Sequence, residues 1–250
     1  MFPLVHIYTA TQVAKRKTAL LIFGSILPDI VWVSKGKLSP EKLHDNIDDF
    51  YSFVKSNHKD MLDLALGMKL HSNKNGADLY SHFYKGGYAY NNGRKLLIDI
   101  KKLVGAGDKK KILDSTHNFI EASLDLRLYH ENPEVLDLYK NAIRHIHLDK
   151  IAKLLSDYTQ IDEKEILENI ETLLNLVRPD NLTSEESFAS NILSKMIKLG
   201  FEKDVDNLQT LKILKKAQNI TKNSYKELFK KYDNNDAERF LEVKVSIFIG

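Results

Sequence analysis

The chain has 250 residues, 43% hydrophobic and 28% charged, ordinary values for a globular protein that exclude wholesale disorder. It contains no cysteine, which excludes disulfides, thiolate zinc sites, iron–sulfur clusters and a cysteine nucleophile together. Thirty-seven basic and 34 acidic residues leave a net charge of +3, too mild an excess to support nucleic-acid binding.

Residues 19–33 (ALLIFGSILPDIVWV) form the most apolar run and follow Lys15, Arg16 and Lys17, which imitates a signal peptide. Pro28 and Asp29 interrupt the run, no small-x-small cleavage site follows, and about 20 apolar residues are needed to span a bilayer. The run reads as a buried helix ending near Pro28. Without a recognisable signal, cytoplasmic residence is expected, with secretion by another route left open.

Helical spacing continues along the chain. Phe50, Phe53 and Val54 obey the i, i+3, i+4 rule, as do Leu62, Ala65 and Leu66. Helix starts are marked by Ser39-Pro40-Glu41, Asn132-Pro133-Glu134 and Thr183-Ser184-Glu185-Glu186, each with a capping oxygen ahead of proline or acidic residues. The stretches 73–76, 86–93 and 105–108 read as loops, and Lys109 to Lys111 as a solvated extension of the last. From Pro133 onward, apolar stripes alternate with charged faces: Ile166, Ile170, Leu173, Leu174 and Val177; then Ile192, Leu193, Met196 and Ile197; then Leu208, Leu211 and Leu214. Residues 243–249 read as a short strand or a helix end. Glycine and proline are scarce, at 11 and 5, too few for the turns of a sandwich or barrel. The expected class is all-α, with a metal-binding core over 1–132 and a helical region over 133–250 packed on it or appended to it.

All nine histidines lie between His6 and His147, so the chemistry is expected in the first half. His117 and Glu121 are four apart on a predicted helix and face the same way one turn apart. Asp78 and His82 repeat that spacing in reverse order. Such pairs suit a divalent cation held through nitrogen and oxygen, although a single pair is more often a solvated surface pair. Asp29 sits in an apolar run, where an unpaired carboxylate is costly to bury. A metal or a basic partner relieves that cost, and so does a helix end in water. His6 lies in an apolar context that suits a hydrogen-bonded core residue. His44 by itself reads as a surface residue. His58 looks solvated, His130 sits near a helix end, and His145 and His147 point to different faces.

The order His6, Gly24-x-x-x-Pro28-Asp29, His44, Leu66-Gly67-x-x-x-His71, Asp78-x-x-x-His82 and His117-x-x-x-Glu121 resembles the zinc-dependent phospholipase C family. That family shares an all-helical fold with single-strand-specific zinc nucleases. The resemblance runs to about Asp125 and implies a metal ligand set of His6, Asp29, His44, His71, Asp78, His82, His117 and Glu121. In the family the central histidine and aspartate are commonly one turn apart; here Asn75 occupies that position and Asp78 lies seven beyond His71. The secreted members open on a Trp that binds one zinc, whereas this chain starts Met1-Phe2 and its only Trp is Trp32. Two or three zinc ions are therefore implied.

Neighbouring zinc ions suit phosphodiester or phosphoester hydrolysis. Asp29 is the candidate general base or bridging ligand. Tyr80, Phe83, Tyr84, Tyr88 and Tyr90 cluster after His82. They suit stacking on a cationic headgroup or a nucleobase, or simply cover a core. The expected substrate is a phospholipid or another phosphoester. The alternatives are a single-strand nuclease on the same scaffold, disfavoured by the near-neutral charge, and a non-enzymatic helical binding protein with a residual metal site.

Overall fold

Apolar spacing at three and four residues resolves into helices along the chain, and no strand occurs among the described residues. The computed structural model describes residues 3–45, 47–74, 76–82, 86–105 and 107–234, with side chains to residue 230. In chain order the helices are α1 (Pro3–Ala14), α2 (Ala19–Gly24), α3 (Ile30–Val33), α4 (Ile47–Asn57), α5 (Leu62–His71), α6 (Ala77–His82), α7 (Tyr88–Gly93) and α8 (Leu97–Val104). They continue with α9 (Lys109–Glu131), α10 (Glu134–His145), α11 (Leu148–Thr159), α12 (Glu163–Leu176), α13 (Glu185–Phe188), α14 (Ser194–Phe201), α15 (Asn207–Thr221) and α16 (Tyr225–Asn234). The all-α class expected from the sequence is what the chain adopts.

Several boundaries follow from caps. Asp108, Asp162, Ser184 and Asp206 each accept a backbone N–H at the start of α9, α12, α13 and α15, which satisfies donors that the first turn leaves without a partner. At α10 the expected Asn132 cap is replaced. Pro133 occupies the capping position and makes no side-chain bond there.

Three further expectations change. The first apolar run is not one helix ending at Pro28: α2 stops at Gly24, a 3-10 turn covers Leu27–Asp29, and α3 follows. Proline at the second position of that turn needs no N–H partner, so it starts a new turn instead of closing an old one. Residues 88–93 form α7 although their composition suggests a loop, and Lys109 to Lys111 form the first turn of α9. In α15 the buried stripe is Thr210, Ile213, Leu214, Ala217 and Thr221, and Leu208 is 70% exposed. Residues 243–249 lie outside the described residues.

Helix α9 runs beside α1, α7, α8 and α15. Helices α10 and α16 pack on α1, and α12 packs on α3, so helices before and after residue 132 touch. One buried apolar cluster extends from Leu4 to Phe229. Helix α5 is enclosed, burying Leu64, Ala65, Leu66, Gly67, Met68, Leu70 and His71. Its closest neighbour is α2, and two glycines set the spacing. A methyl group on Gly24 would fall 2.2 Å from the Leu64 carbonyl oxygen, and one on Gly67 would fall 2.3 Å from that of Leu21. Only glycine on both sides permits this backbone approach. It brings the turn after α2 against the C-terminal end of α5.

Candidate metal centre

All eight residues singled out as ligands lie around one interior region, delivered by separate elements. His6 comes from α1, Asp29 from the 3-10 turn, His44 from a π-helical turn over Glu41–Asp45, and His71 from the last position of α5. Asp78 and His82 come from α6, and His117 and Glu121 from α9. They form three groups able to hold a metal ion: His6, Asp29 and His71; His44, His71 and Asp78; and His82, His117 and Glu121. Asp29 is 4% exposed and His44 2%, so neither is the surface residue that its local sequence suggests. The break between α5 and α6 does not separate His71 from Asp78, which lie 3.4 Å apart. Asn75 lies outside the described residues.

The hydrogen bonds around His44 and His71 fix what their inner nitrogens do. His71 Nδ1 is 2.8 Å from the Ser25 carbonyl oxygen. A carbonyl only accepts, so Nδ1 carries the proton and Nε2 of the neutral ring presents a lone pair. His44 Nδ1 lies 3.0 Å from Asp45 Oδ1, which assigns the same tautomer. The two Nε2 atoms are 3.2 Å apart, and Asp78 Oδ2 lies 3.2 Å from the first and 3.4 Å from the second. Three acceptors thus converge with no donor among them in the neutral tautomers. Tetrahedral arms of 2.0–2.1 Å have an edge of about 3.3 Å, so these three atoms already stand at the spacing of ligands around one small cation. Asp45 and the Ser25 carbonyl orient the two rings as outer partners, and Asn73 holds Asp45 through a 2.7 Å bond from Nδ2.

With no cation present, the charge balance favours a proton on His44. Burial opposes a charge on His44, but hydrogen bonds to Asp45 and Asp78 push it up to about 10. Burial also opposes a charge on Asp78, yet His82 and His71 hold its carboxyl well below the usual range. The pocket demands positive charge beside Asp78, which a proton on His44 or a cation supplies. Asp78 Oδ1 and His117 Nδ1 are buried without a hydrogen-bond partner, and His6 Nε2 lies 3.5 Å from that Asp78 oxygen.

His82 joins the groups. Its Nδ1 is 3.3 Å from Asp78 Oδ2 and its Nε2 is 2.5 Å from Glu121 Oε1. Those two carboxylates overcome burial and raise its pKa. Ser81 also donates to Glu121 Oε1, at 3.2 Å. His117 lies 3.8 Å from the same oxygen, and burial pushes it down to about 3, the neutral state that a metal requires. The side chains of His82 and His117 are 19% and 13% exposed, against 0% for His71. The third group is therefore the most solvent-accessible of the three. Tyr90 stacks on His117 with ring centres 4.7 Å apart and donates its hydroxyl to Asp114. Trp32, 56% exposed, meets the His44 ring edge-on at 5.7 Å. Of the other aromatics, Tyr88 is turned toward Ser224, and Phe83 and Tyr84 lie outside the described residues.

His58, His130, His145 and His147 belong to none of the three groups. The residues that the sequence reading missed are Asp45, Asn73, Ser81 and Asp125. Asp45 is adjacent to His44, and Asp125 continues the four-residue spacing of His117 and Glu121. Both signals were present in the sequence, but neighbours of this kind are usually solvated.

No helix among the described residues is long and apolar enough to cross a membrane. The buried histidine and carboxylate groups could hold a metal ion. No family model, no curated protein and no solved structure matches the chain, so its functional reading rests on these side chains.

Proposed function

We propose that the chain is a zinc-dependent hydrolase of phosphodiesters or phosphoesters, similar in chemistry to phospholipases C. The observation that carries this reading is the triangle of His44 Nε2, His71 Nε2 and Asp78 Oδ2, with sides of 3.2, 3.2 and 3.4 Å and both Nδ1 atoms engaged elsewhere. An all-nitrogen-and-oxygen set of this kind suits zinc. Divalent cations held by these groups would supply Lewis-acid charge to a phosphoryl oxygen and lower the pKa of water.

The protein's own residues divide the remaining work. Asp45 and the Ser25 carbonyl keep two imidazoles in the ligand tautomer. Tyr90 stacks on one face of His117 and Trp32 meets the edge of His44, so the two aromatics help to orient these imidazoles. The partial exposure of His82 and His117 supports substrate entry at the third group. Asp29, buried beside His6 and His71, is the candidate base or bridging ligand.

The first test is elemental analysis of protein purified without chelator and then dialysed, followed by assays on a chromogenic phosphodiester, phosphatidylcholine and single-stranded DNA. Two or three zinc equivalents and phosphodiester turnover are expected. Asp29→Asn should reduce that turnover to background. No bound metal after zinc supplementation, or full activity in Asp29→Asn, would overturn the reading.

A further inference from the structure

The N-terminal end of α1 is held by a carboxylate 120 residues away in sequence. Asp125 Oδ2 accepts the Leu4 N–H at 3.2 Å and Oδ1 accepts the Val5 N–H at 3.0 Å. These amides belong to the first turn of α1, where no intrahelical acceptor exists and where α1 offers no acidic residue of its own. The carboxylate also complements the positive end of the helix dipole. Asp125 is 0% exposed and lies one turn beyond Glu121 and two beyond His117 on α9. A single face of α9 therefore carries two candidate ligands and the anchor of another helix.

The residue after Val5 is His6. Its ring stacks on His71 at 3.8 Å, and its Nε2 is 3.5 Å from Asp78 Oδ1. A slip of α1 by one residue would turn His6 by about 100° away from this contact. We infer that Asp125 is a positioning residue that sets His6 against His71 and Asp29 by fixing the rotation and height of α1 on α9. The inference rests on the metal reading above. Burial opposes the charge on Asp125 and raises its carboxyl above the usual range, while the Val5 and Leu4 amides favour the ionised form, so a carboxylate is a costly way to fill the core. Such groups are often neutral or worse for stability than an apolar substitute, and the function supplied here is register.

The test is zinc titration of chelator-stripped protein by calorimetry, comparing wild type, Asp125→Asn and His6→Ala. Asparagine keeps the shape and one acceptor oxygen, and loses the second acceptor. The expected result is that Asp125→Asn weakens the same single zinc equivalent that His6→Ala removes, by about 10–100-fold. Its remaining equivalents and its circular dichroism should stay those of the wild type. Unchanged affinity at every equivalent would overturn the inference. So would uniform weakening of all equivalents or failure to fold, because Asp125 would then be holding the fold and not His6. Wild-type protein that takes up no zinc would overturn the metal reading and this inference with it. Normal wild-type uptake with an unaffected Asp125→Asn would overturn this inference alone.

Discussion

Helix α12 buries Ile166, Ile170, Leu173 and Leu176 along one stripe and turns its charged residues outward. Helix α5 buries residues on every side and ends on His71, itself 0% exposed. The contrast extends along the chain. Among the described residues every buried aspartate, glutamate and histidine lies between His6 and Asp125, whereas the buried polar residues after position 132 are Thr210 and Thr221. A one-faced helix leaves its ionisable groups in water, where they cost nothing to keep. An enclosed helix takes them out of water, where they need partners, a proton or a cation. If the first region holds a metal as proposed, its stability should respond to that metal, whereas the stripe of α12 should be indifferent to it.

Metal removal should show this most strongly. Free zinc at about 1,000 times Kd should stabilise the wild type by about 4 kcal/mol for each site, read as the difference in melting temperature with and without chelator. A melting temperature indifferent to zinc would break the comparison. Next in size, Ile170→Ala removes three carbons from a fully buried position and should cost about 2–5 kcal/mol. It should lower the zinc-loaded and zinc-free melting curves alike and leave the zinc stoichiometry intact. A lost zinc equivalent in that variant would mean that the second region helps to hold the site.

The smallest effect is expected at Asp48, which ties α4 to Lys69 and Lys74 at 2.8 and 2.7 Å near the surface. The two lysines overcome partial burial and depress its folded pKa. Its contribution is thus present above the unfolded value of about 3.9 and is lost as pH falls through the lower folded value. Asp48→Asn should cost less than about 1 kcal/mol at neutral pH and nothing in strong acid, as chemical denaturation at the two pH values would show. An equal cost at both would assign the loss to packing.

Much of this architecture was legible in the residues. The periods of Phe50-Phe53-Val54 and of Ile166-Ile170-Leu173 announce α4 and α12 because spacing at three and four residues is local physics. The cap at Ser184 is equally local. The α7 segment was not legible: its Asn91-Asn92-Gly93 favours a turn, yet it is helical where it packs on α9 and α6. At the site, the pairing of His117 with Glu121 followed from helical spacing. The burial of His44 and Asp29 did not, because their flanking sequences permit solvation.

The sequence by itself determined the helical class, the concentration of histidine in the first half and the residue types able to bind a cation. The tertiary structure decided which of these residues meet. It did so through two glycines that let α2 approach α5, through the turn that places Asp78 beside His71, and through Asp125 on the end of α1. Contacts between residues 46 or 120 positions apart depend on backbone approach and on the direction of hydrogen bonds, and neither is written in the spacing of any one segment.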